Sequence, residues 1–322
     1  MKNRILKILK GNDNYISGQS IAKELNISRN AIHKHIQSLK ELGYSIESKR
    51  SSGYRLINSI NFIDSLEVEN KFKNSLFAKK IIHLKSIPST NDEAYKLAEE
   101  GCDEGTIILS EKQTKGKGRL GRAFESSMKN NLYFSILLRP KLSPAAAPKI
   151  TLLSALSVVA AIEETSNLKP KVKWPNDIFI NDKKVCGILT EMKSETDRID
   201  FMILGIGVNV NSSVNDYPNK FKPILTTLSD EERRLLPRQQ IFEKIITNFE
   251  RIYATMKNDE FSEKILKKWA DSSYLMGKKV TVNNADNKIT GTVIGIDESG
   301  FLNLKVDGKI KRVFSGTIEV VG

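Results

Sequence analysis

Residues 113–122 read QTKGKGRLGR, ten residues that contain three glycines and four cationic side chains but no acidic one. They lie between two apolar runs, residues 106–110 and 131–139, each of which predicts a β-strand. Glycine allows the backbone to approach a ligand closely, and successive free N–H groups bind anions. Lys and Arg add charge for a phosphate or carboxylate group. The stretch therefore predicts a loop that wraps an anionic ligand, with a flexible basic surface loop as the alternative.

Two common phosphate-binding motifs do not account for this loop. A Walker A loop requires GK followed by Ser or Thr at the start of a helix, and no such sequence opens a helix here. The dinucleotide-binding G-x-G-x-x-G leads from a strand into a helix, whereas this loop leads into another strand. The ligand of the loop therefore has to be inferred from the rest of the chain.

Four further motifs accompany the loop. They are Ser89-Thr90-Asn91 upstream, KWPND at 173–177, KVCG at 184–187 and GIGVN at 205–209. Their order and spacing resemble those of the biotin–protein ligases. A helix-turn-helix pattern before them makes the chain similar to the bifunctional members, the bacterial biotin operon repressors. The resemblance covers nearly the whole chain, and the basic loop together with KWPND is its most specific part.

The resemblance implies a function for individual residues. It implies a biotin site formed by Ser89, Thr90, Asn91, Gln113, Lys117, Gly118, Arg119 and Lys184. It implies ATP contacts from Lys117, Arg119, Lys173, Asn176, Asn209 and Arg312. The implied catalytic residues are Arg119, Lys184 and Asp177. Asp177 is also the candidate ligand for Mg²⁺, because its carboxylate offers a hard oxygen.

The same residues also have simpler interpretations. Thr90 and Glu93 match a capping box, so their segment could serve only to begin a helix. Pro175 and Asn176 predict a tight turn, and Lys184 could be a lysine that protects the edge of a sheet. A lone G-x-G such as that of GIGVN is weak evidence for a nucleotide site. The combination of motifs, rather than any one of them, favours a binding site.

The chain departs from the family pattern at two positions of the loop. Lys117 stands where the family usually has Arg, which keeps the charge but loses the bidentate fork. Phe124 stands where the family usually has Trp. These departures leave open a protein that senses biotin or its adenylate without turnover, whereas the motif residues that are retained favour an active enzyme.

The resemblance implies that biotin reacts with ATP and Mg²⁺ to form biotinyl-5′-AMP. Biotin then passes to a lysine of the biotin carboxyl carrier protein of acetyl-CoA carboxylase. The adenylate-bound form would be a homodimer that binds operator DNA, with biotinyl-5′-AMP as corepressor of biotin synthesis and transport genes. The alternatives are a lipoate–protein ligase, a non-catalytic biotin-sensing transcription factor, and a ligase that no longer reads DNA.

The first 60 residues carry 11 Lys/Arg and 4 Asp/Glu, so 11 − 4 gives +7 of the net charge of +13. Residues 20–36 predict two helices joined by a turn, with Ser28 as N-cap of the second. Residues 44–57 predict a β-hairpin, as in a winged helix. Polar side chains on the outer face of a recognition helix contact bases and phosphates. The predicted DNA-binding residues are Ser28, Arg29, Asn30, His33, Lys34, Gln37, Lys49, Arg50 and Arg55. A solvated module without DNA is the alternative.

The composition is that of an ordinary globular protein, with 39% hydrophobic and 28% charged residues. A pI near 9.5 favours anionic partners. Two cysteines are too few for a disulfide framework, and three histidines form no cluster with zinc spacing. We find neither an apolar signal segment nor an uncharged run of roughly 20 residues. We therefore expect a cytoplasmic protein with no membrane partner.

The predicted fold class is α+β. The expected parts are a winged helix-turn-helix at 1–62, a linker with a short helix at 63–80, and a ligase domain at 81–272. The resemblance implies that this central domain is mixed α/β and similar to class II synthetases. Residues 273–322 alternate in short strands and predict an SH3-like small β-barrel, with turns at 283–287, 297–300 and 307–308.

Overall fold

The computed structural model describes residues 1–41, 43–57, 60–255, 262–284 and 288–321. The N-terminal module consists of α1 (Lys2–Lys10), α2 (Gly18–Leu25), α3 (Arg29–Glu41), β1 (Ile46–Lys49) and β2 (Gly53–Leu56). Its core is formed by apolar side chains at helical spacing, including the fully buried Ile21, Ile32 and Ile36. The Ser28 hydroxyl accepts a hydrogen bond from the Ala31 N–H at 3.1 Å, as expected of an N-cap.

The hairpin of the N-terminal module is antiparallel, with Ile46 opposite Leu56 and Lys49 opposite Gly53. Tyr54 and Ile16 exchange backbone hydrogen bonds of 2.8 Å, which fix the hairpin to the segment before α2. Gly53 has a φ of 108°, and a Cβ there would collide with the Ile16 backbone. The predicted winged helix-turn-helix is therefore present.

A seven-stranded mixed sheet forms the centre of the molecule. Its strands are β3 (Ile81–Leu84), β4 (Ile107–Ser110), β5 (Leu132–Leu138), β6 (Lys171–Lys173), β7 (Asp177–Ile180), β8 (Lys183–Ser194) and β9 (Ile199–Val208). The spatial order is β3-β4-β5-β9-β8-β7-β6, and every pair except β3–β4 is antiparallel.

The helices after the N-terminal module are α4 (Ser65–Lys71), α5 (Thr90–Glu99), α6 (Ala147–Thr165), α7 (Leu228–Glu232), α8 (Arg238–Tyr253) and α9 (Glu263–Ser272). Alternation along β5 explains how they cover the sheet. Phe134 and Ile136 join the large core formed with α6 and α8, whereas Leu137 joins a smaller core with α5. The face that carries α5 leaves room for a ligand beside it.

The helical segment Pro144–Thr165, which consists of α6 and the turn before it, is long and apolar enough to cross a membrane by length and composition alone. In this fold 78% of an apolar 18-residue stretch of this helix is buried inside the protein. It contributes Leu153, Leu156 and Val159 to the central core. Its hydrophobicity is therefore that of a core helix.

The C-terminal sheet is antiparallel, in the order β13-β12-β11-β10-β14. Its strands are β10 (Lys279–Asn283), β11 (Lys288–Ile296), β12 (Leu302–Val306), β13 (Lys309–Val313) and β14 (Thr317–Val320). The Trp174 indole N–H donates to the Gly300 carbonyl at 3.1 Å, so KWPND is tied to this sheet. The turn predicted at 283–287 lies partly outside the described residues.

The segment predicted as a linker is packed against the central domain. Val68, Phe72 and Phe77 are buried in the central core. Asp64, just before α4, accepts hydrogen bonds from Tyr44 and, at 2.8 Å, from Lys10 Nζ of the N-terminal module. The Asp64 N–H donates to the Gln239 side chain of α8 at 2.8 Å, which ties the module to the central domain.

A second polar contact joins α8 to the segment that leads into the basic loop. Glu111 accepts two hydrogen bonds from the buried Arg238, at 2.9 and 2.7 Å, and lies 2.9 Å from His83 Nε2. Burial alone would raise the pKa of Glu111, but the hydrogen bonds from His83 and Arg238 hold it at about 2. Glu111 thus anchors the chain two residues before Gln113.

Candidate functional site

A cavity of about 430 Å³ opens on the sheet face beside α5, under the basic loop. It is lined by residues from β7, β8, β9, the basic loop, KWPND and residues 316–318 of the C-terminal sheet. Of the predicted ligand-binding residues, those that line it are Ser89, Thr90, Asn91, Gln113, Lys117, Gly118, Arg119, Lys173, Asn176, Asp177, Lys184 and Asn209. Segments far apart in sequence therefore meet at one site.

One end of the cavity is a network of hydroxyl and amide groups. Gln113 Oε1 accepts hydrogen bonds from the Thr90 N–H at 2.7 Å and from the Thr90 hydroxyl at 3.0 Å. The Ser135 hydroxyl contacts the Thr90 hydroxyl at 2.8 Å and donates to Asn91 Oδ1 at 2.6 Å. All four residues are buried, so the network presents oriented donors and acceptors to a polar ring.

The segment 89–91 also begins α5. Ser89 is its N-cap and accepts a hydrogen bond from the Asp92 N–H at 3.4 Å. Asn91 Nδ2 donates to Glu191 on β8 at 2.7 Å, so the amide is oriented from both sides. The capping interpretation and the binding interpretation of this segment are therefore compatible, because the helix start positions the groups that face the cavity.

The glycines of β8 and β9 make room for side chains. A Cβ on Gly205 would collide with the Asn91 amide, and one on Gly207 would collide with the Phe124 ring. A Cβ on Gly187 would lie 3.0 Å from both that ring and Lys184 Nζ. The glycines of GIGVN therefore allow Asn91 and Phe124 to lie against the sheet, and they line the cavity themselves.

The other end of the cavity is cationic. Lys184 Nζ lies 2.7 Å from Asp177 Oδ1, and Arg119 Nη1 donates to Asn176 Oδ1 at 3.2 Å. Burial lowers the pKa of Arg119 and of Lys173, although the nearby Asp177 carboxylate acts in the opposite direction on both. These cations are partly desolvated, so they interact more strongly with a phosphate than they would in water.

Lys117 makes a different contact. Its ammonium group pairs with Asp92 in the first turn of α5, and this hydrogen bond is the main cause that raises the pKa of Lys117. Both side chains are nearly half exposed, so the pair contributes little to stability. Lys117 therefore lines the cavity while one of its three N–H donors binds Asp92.

The basic loop forms a short hairpin over the cavity. The Phe124 N–H donates to the Gly116 carbonyl at 2.9 Å, and the Gly118 N–H donates to the Arg122 carbonyl at 2.7 Å. At the tip, Leu120 has a φ of 55°, in the left-handed region that non-glycine residues seldom adopt. Arg122 Nη2 lies 3.4 Å from the Thr317 hydroxyl, so the loop reaches the C-terminal sheet.

Asn209 is held by a second layer of polar groups. Its Oδ1 accepts from the Tyr217 hydroxyl at 3.2 Å, and its Nδ2 donates to the Thr226 carbonyl at 3.1 Å. The Thr226 N–H donates in turn to the Lys184 carbonyl at 2.9 Å. The segment 224–226 therefore connects Asn209 to the strand that carries Lys184.

Arg312 does not line this cavity, and its contact with ATP stays a prediction. Its guanidinium pairs with Asp297 and lies over the Phe301 ring, 5.4 Å from the ring centre. The C-terminal sheet contributes residues 316–318 to the cavity instead. The strand order explains this position, because β13 and β14 lie at opposite edges of that sheet.

Asp177 is the residue that fits a divalent metal best. Among the described residues there is no group of three or more His, Cys, Asp or Glu side chains that could hold an ion. Mg²⁺ that accompanies a nucleotide needs only one or two carboxylates, because phosphate oxygens and water complete its shell. The Asp177 carboxylate fits such a site beside bound phosphates, and its role as a metal ligand stays a prediction.

The predicted DNA-contacting side chains of α3 form one solvent-facing row. Ser28, Arg29, Asn30, His33, Lys34 and Gln37 are exposed, as are Lys49 and Arg50 of the wing. Arg55 differs, because it pairs with Glu47 at 2.8 Å and lies over the Tyr15 ring, 4.8 Å from the ring centre. Its charge is therefore partly neutralised within the protein.

Sequence reasoning missed several residues of the site. Ser135 is a lone hydroxyl in an apolar strand, which is a signal that could have been used. Glu191 and the segment 224–226 carry no motif. Glu191 belongs to the site through its hydrogen bond with Asn91, and the pairing of Leu225 with Lys184 brings Ile224 and Leu225 to the cavity. The position of Phe124 between Gly187 and Gly207 likewise required the fold.

Fold and site together define a DNA-binding protein whose central domain has a cavity suited to a ligand that is polar at one end and negatively charged at the other. Residues 2–55 match an HTH domain, residues 83–209 the biotin/lipoate A/B protein ligase family, and residues 275–321 the biotin protein ligase C-terminal domain.

Similar proteins support the same assignment. The bifunctional ligase/repressor BirA of Bacillus subtilis is 37% identical over 96% of this chain and 95% of the relative. That of Escherichia coli is 28% identical over 97% and 95%. The structure of biotin protein ligase from Aquifex aeolicus in complex with biotin and ATP superposes with a TM-score of 0.64 at 30% identity, over 76% of this chain and 99% of that one. The chain therefore belongs to the family of bifunctional biotin ligases and repressors, which confirms the family and the fold class predicted from the motifs.

Proposed function

We propose that this protein is an ATP-dependent biotin–protein ligase of the cytoplasm that forms biotinyl-5′-AMP. It then transfers biotin to a lysine of the biotin carboxyl carrier protein of acetyl-CoA carboxylase. The observation that carries the proposal is the cavity with two unlike ends. The hydroxyl and amide network suits a ureido ring, and the cationic end suits a carboxylate beside phosphates.

The biotin end of the cavity recognises hydrogen-bonding groups by their direction. In the network Gln113 and Asn91 each have an amide that can offer both a donor and an acceptor, and the Thr90 and Ser135 hydroxyls can rotate to serve either role. These buried groups bind one another, so a ligand that lacks the matching donors and acceptors gains no hydrogen bond from this end of the cavity. This arrangement favours biotin over lipoate, which has no ureido group.

In the adenylation step a biotin carboxylate oxygen attacks the α-phosphorus of ATP. The new oxygen–phosphorus bond forms as the bond to the bridging oxygen breaks, and pyrophosphate leaves with that electron pair. Both reactants are anionic, so we assign Arg119, Lys184 and Lys117 to offset their repulsion. Lys173, Asn176 and Asn209 would hold the nucleotide. Mg²⁺, held by Asp177, would supply further charge neutralisation.

In the transfer step a neutral lysine amine of the acceptor attacks the acyl carbon, and AMP leaves. Asp177 is the candidate for accepting the proton of that amine, because its carboxylate lies at the cationic end of the cavity. Its 2.7 Å contact with Lys184 would have to loosen first. Holding Mg²⁺ and accepting a proton are successive roles, since one carboxylate oxygen does not perform both at once.

Pyrophosphate release with biotin, ATP and Mg²⁺ tests the proposal. We expect release with biotin and not with lipoate. Arg119→Ala should lower the rate by at least about 100-fold, because a partly buried cation at the reacting phosphate is lost. Lys115→Ala is the matched control, since Lys115 is an exposed cation of the same loop that does not line the cavity.

Other outcomes of this experiment would indicate other functions. Release with lipoate in place of biotin would indicate a lipoate–protein ligase. Saturable biotin binding without any pyrophosphate release would indicate a biotin-sensing transcription factor. An equal loss in the two loop variants would mean that overall loop charge, and not Arg119 itself, supports the reaction.

The second proposed activity is biotin-responsive repression of biotin synthesis and transport genes. The exposed row on α3 and the excess positive charge of the N-terminal module support operator binding. Biotinyl-5′-AMP would act as corepressor by favouring a homodimer, because a two-fold dimer matches a palindromic operator.

An open sheet edge supports the homodimer. One side of β8 pairs with β7, and this pairing ends at Gly187. Among the described strands, none pairs with the same side of β8 from Leu189 to Ser194. Unpaired strand edges add strands from another chain unless they are blocked. Antiparallel pairing of two copies of this edge would extend the sheet through a two-fold axis, with Met192, 39% exposed, at the contact.

Sedimentation of the protein with and without biotin and ATP tests the dimer. We expect a monomer–dimer shift on adenylate formation, which Met192→Asp should weaken at least about tenfold by placing like charges across the two-fold contact. Ile294→Asp, at an equally exposed position of the C-terminal sheet, serves as the control. Equal dimerisation of the two variants would place the interface elsewhere.

A further inference from the structure

Two large apolar side chains at the mouth of the cavity are left in solvent. Leu120, at the tip of the basic loop, is 75% exposed, and Ile224 is 59% exposed. Both line the cavity. Single exposed apolar residues need no explanation, but two of them at the entrance to one site, beside several cations, do.

Each of these two residues is linked through its backbone to a residue of the cationic end. Leu120 follows Arg119 directly, and the Ile224 carbonyl accepts a hydrogen bond from the Lys184 N–H at 2.9 Å. Arg119 and Lys184 are the cations assigned above to the reacting carboxylate and phosphate. Leu120 and Ile224 therefore form an exposed part of the cavity lining close in sequence or by backbone contact to the cations assigned to the reacting groups.

The loop already holds Leu120 in place. The Gly118 N–H donates to the Arg122 carbonyl at 2.7 Å, and Arg122 Nη2 reaches the Thr317 hydroxyl. Within this hydrogen-bonded hairpin the Leu120 backbone adopts a left-handed conformation and its side chain remains in water. The geometry therefore favours a contact with something that arrives from outside.

The charge of the cavity lining indicates what kind of protein can dock at its mouth. The cavity is lined by five cations, Lys117, Arg119, Arg122, Lys173 and Lys184, and by two acids, Glu125 and Asp177, so 5 − 2 gives an excess of +3. A protein that docks over this mouth is favoured when its own surface is acidic. The two apolar side chains add a desolvated contact at the centre of such a surface.

We propose that Leu120 and Ile224 form the docking surface for the acceptor protein, which presents its target lysine next to apolar side chains on an acidic face. This inference rests on the proposed ligase function and names the surface that its second substrate recognises. The lysine amine would enter between the two residues and form a bond to the acyl carbon as it gives up a proton to Asp177, the candidate base named above. AMP would leave with the electron pair of the broken carbon–oxygen bond.

The test compares two nucleophiles on the same bound adenylate. We would prepare the double variant Leu120→Ser/Ile224→Ser and measure pyrophosphate release, biotin transfer to the isolated acceptor domain, and biotin hydroxamate formation with hydroxylamine. Hydroxylamine is small and needs no docking surface. We expect the KM for the acceptor domain to rise about tenfold, with hydroxamate formation changed less than threefold. Leu235→Ser, at an exposed position that does not line the cavity, is the control.

Other outcomes are equally decisive. If the double variant loses bound adenylate faster and forms less hydroxamate, while the KM for the acceptor domain stays constant, the two side chains cover the ligand and the docking proposal is wrong. An unchanged KM together with unchanged hydroxamate formation would also overturn it. Absence of pyrophosphate release from the unaltered protein would instead refute the ligase function itself.

Discussion

The ligand cavity and the exposed row on α3 are both built from polar side chains, but these side chains are held in opposite ways. In the cavity they bind one another, as Gln113 binds Thr90 and Lys184 binds Asp177. On α3, Arg29, His33 and Gln37 are exposed and make no side-chain hydrogen bond or ion pair within the part of the chain that the structure describes. The first set is organised before its ligand arrives, whereas the second is solvated.

This difference determines how each region can recognise its partner. A ligand in the cavity replaces existing partners of desolvated groups, so a missing interaction leaves a buried charge or dipole unpaired, which is costly. A nucleic acid on α3 replaces water, so each contact contributes less and depends on salt concentration. Substitutions in the cavity should therefore have larger effects on function than substitutions on α3.

The largest effect is expected from Lys184→Met. This change removes a cation from the reacting end of the cavity and leaves Asp177 without its 2.7 Å partner. We expect the rate of pyrophosphate release to fall about 100- to 1,000-fold, the range seen when a group that stabilises charge in a transition state is lost. Binding of unliganded protein to non-specific DNA should remain unchanged.

The neighbouring lysine provides a matched control. Lys183 begins β8, is exposed and does not line the cavity. Lys183→Met should therefore alter the rate of pyrophosphate release less than twofold. Similar losses in the two variants would mean that Lys183 contributes as much as Lys184, or that only the overall charge of the strand matters.

The cavity could be predicted from the sequence to the extent that its residues lie in short motifs. KWPND, the basic loop and the segment 89–91 each place several polar groups within a few residues, and all three meet at the cavity. Local chemistry also predicted the winged module, because the N-cap at Ser28 and the helical spacing of Ile32 and Ile36 are local properties.

The rest depended on contacts between residues far apart in the chain. Glu111 and Arg238 are 127 positions apart, and no pattern in either segment indicates that they pair. The position of Arg312 outside the cavity could not be predicted, because the order of the C-terminal strands, which sets its edge of the sheet, is not readable from alternation alone. The packing around GIGVN could not be predicted for a related reason. The side chains that need its glycines, Asn91 and Phe124, come from other segments.

The smaller effect is expected on DNA binding and compares two arginines of the N-terminal module. Arg29, the first residue of α3, is exposed and has no partner among the described residues, whereas Arg55 pairs with Glu47 and lies over Tyr15. We expect Arg29→Ala to weaken operator binding about tenfold, within the 1–3 kcal/mol typical of a specific contact. Arg55→Ala should weaken it less than threefold, because Glu47 already offsets that charge.

Operator affinity measured at several salt concentrations separates the two roles. If Arg29 contacts a phosphate, its loss should also lower the slope of log affinity against log salt by about one. Lys305→Ala removes the same charge from the exposed side of the C-terminal sheet and should change neither affinity nor slope. Equal losses for Arg29 and Arg55 would mean that pairing within the protein does not weaken a cation for DNA. The contrast between organised and solvated side chains would then apply to the cavity alone.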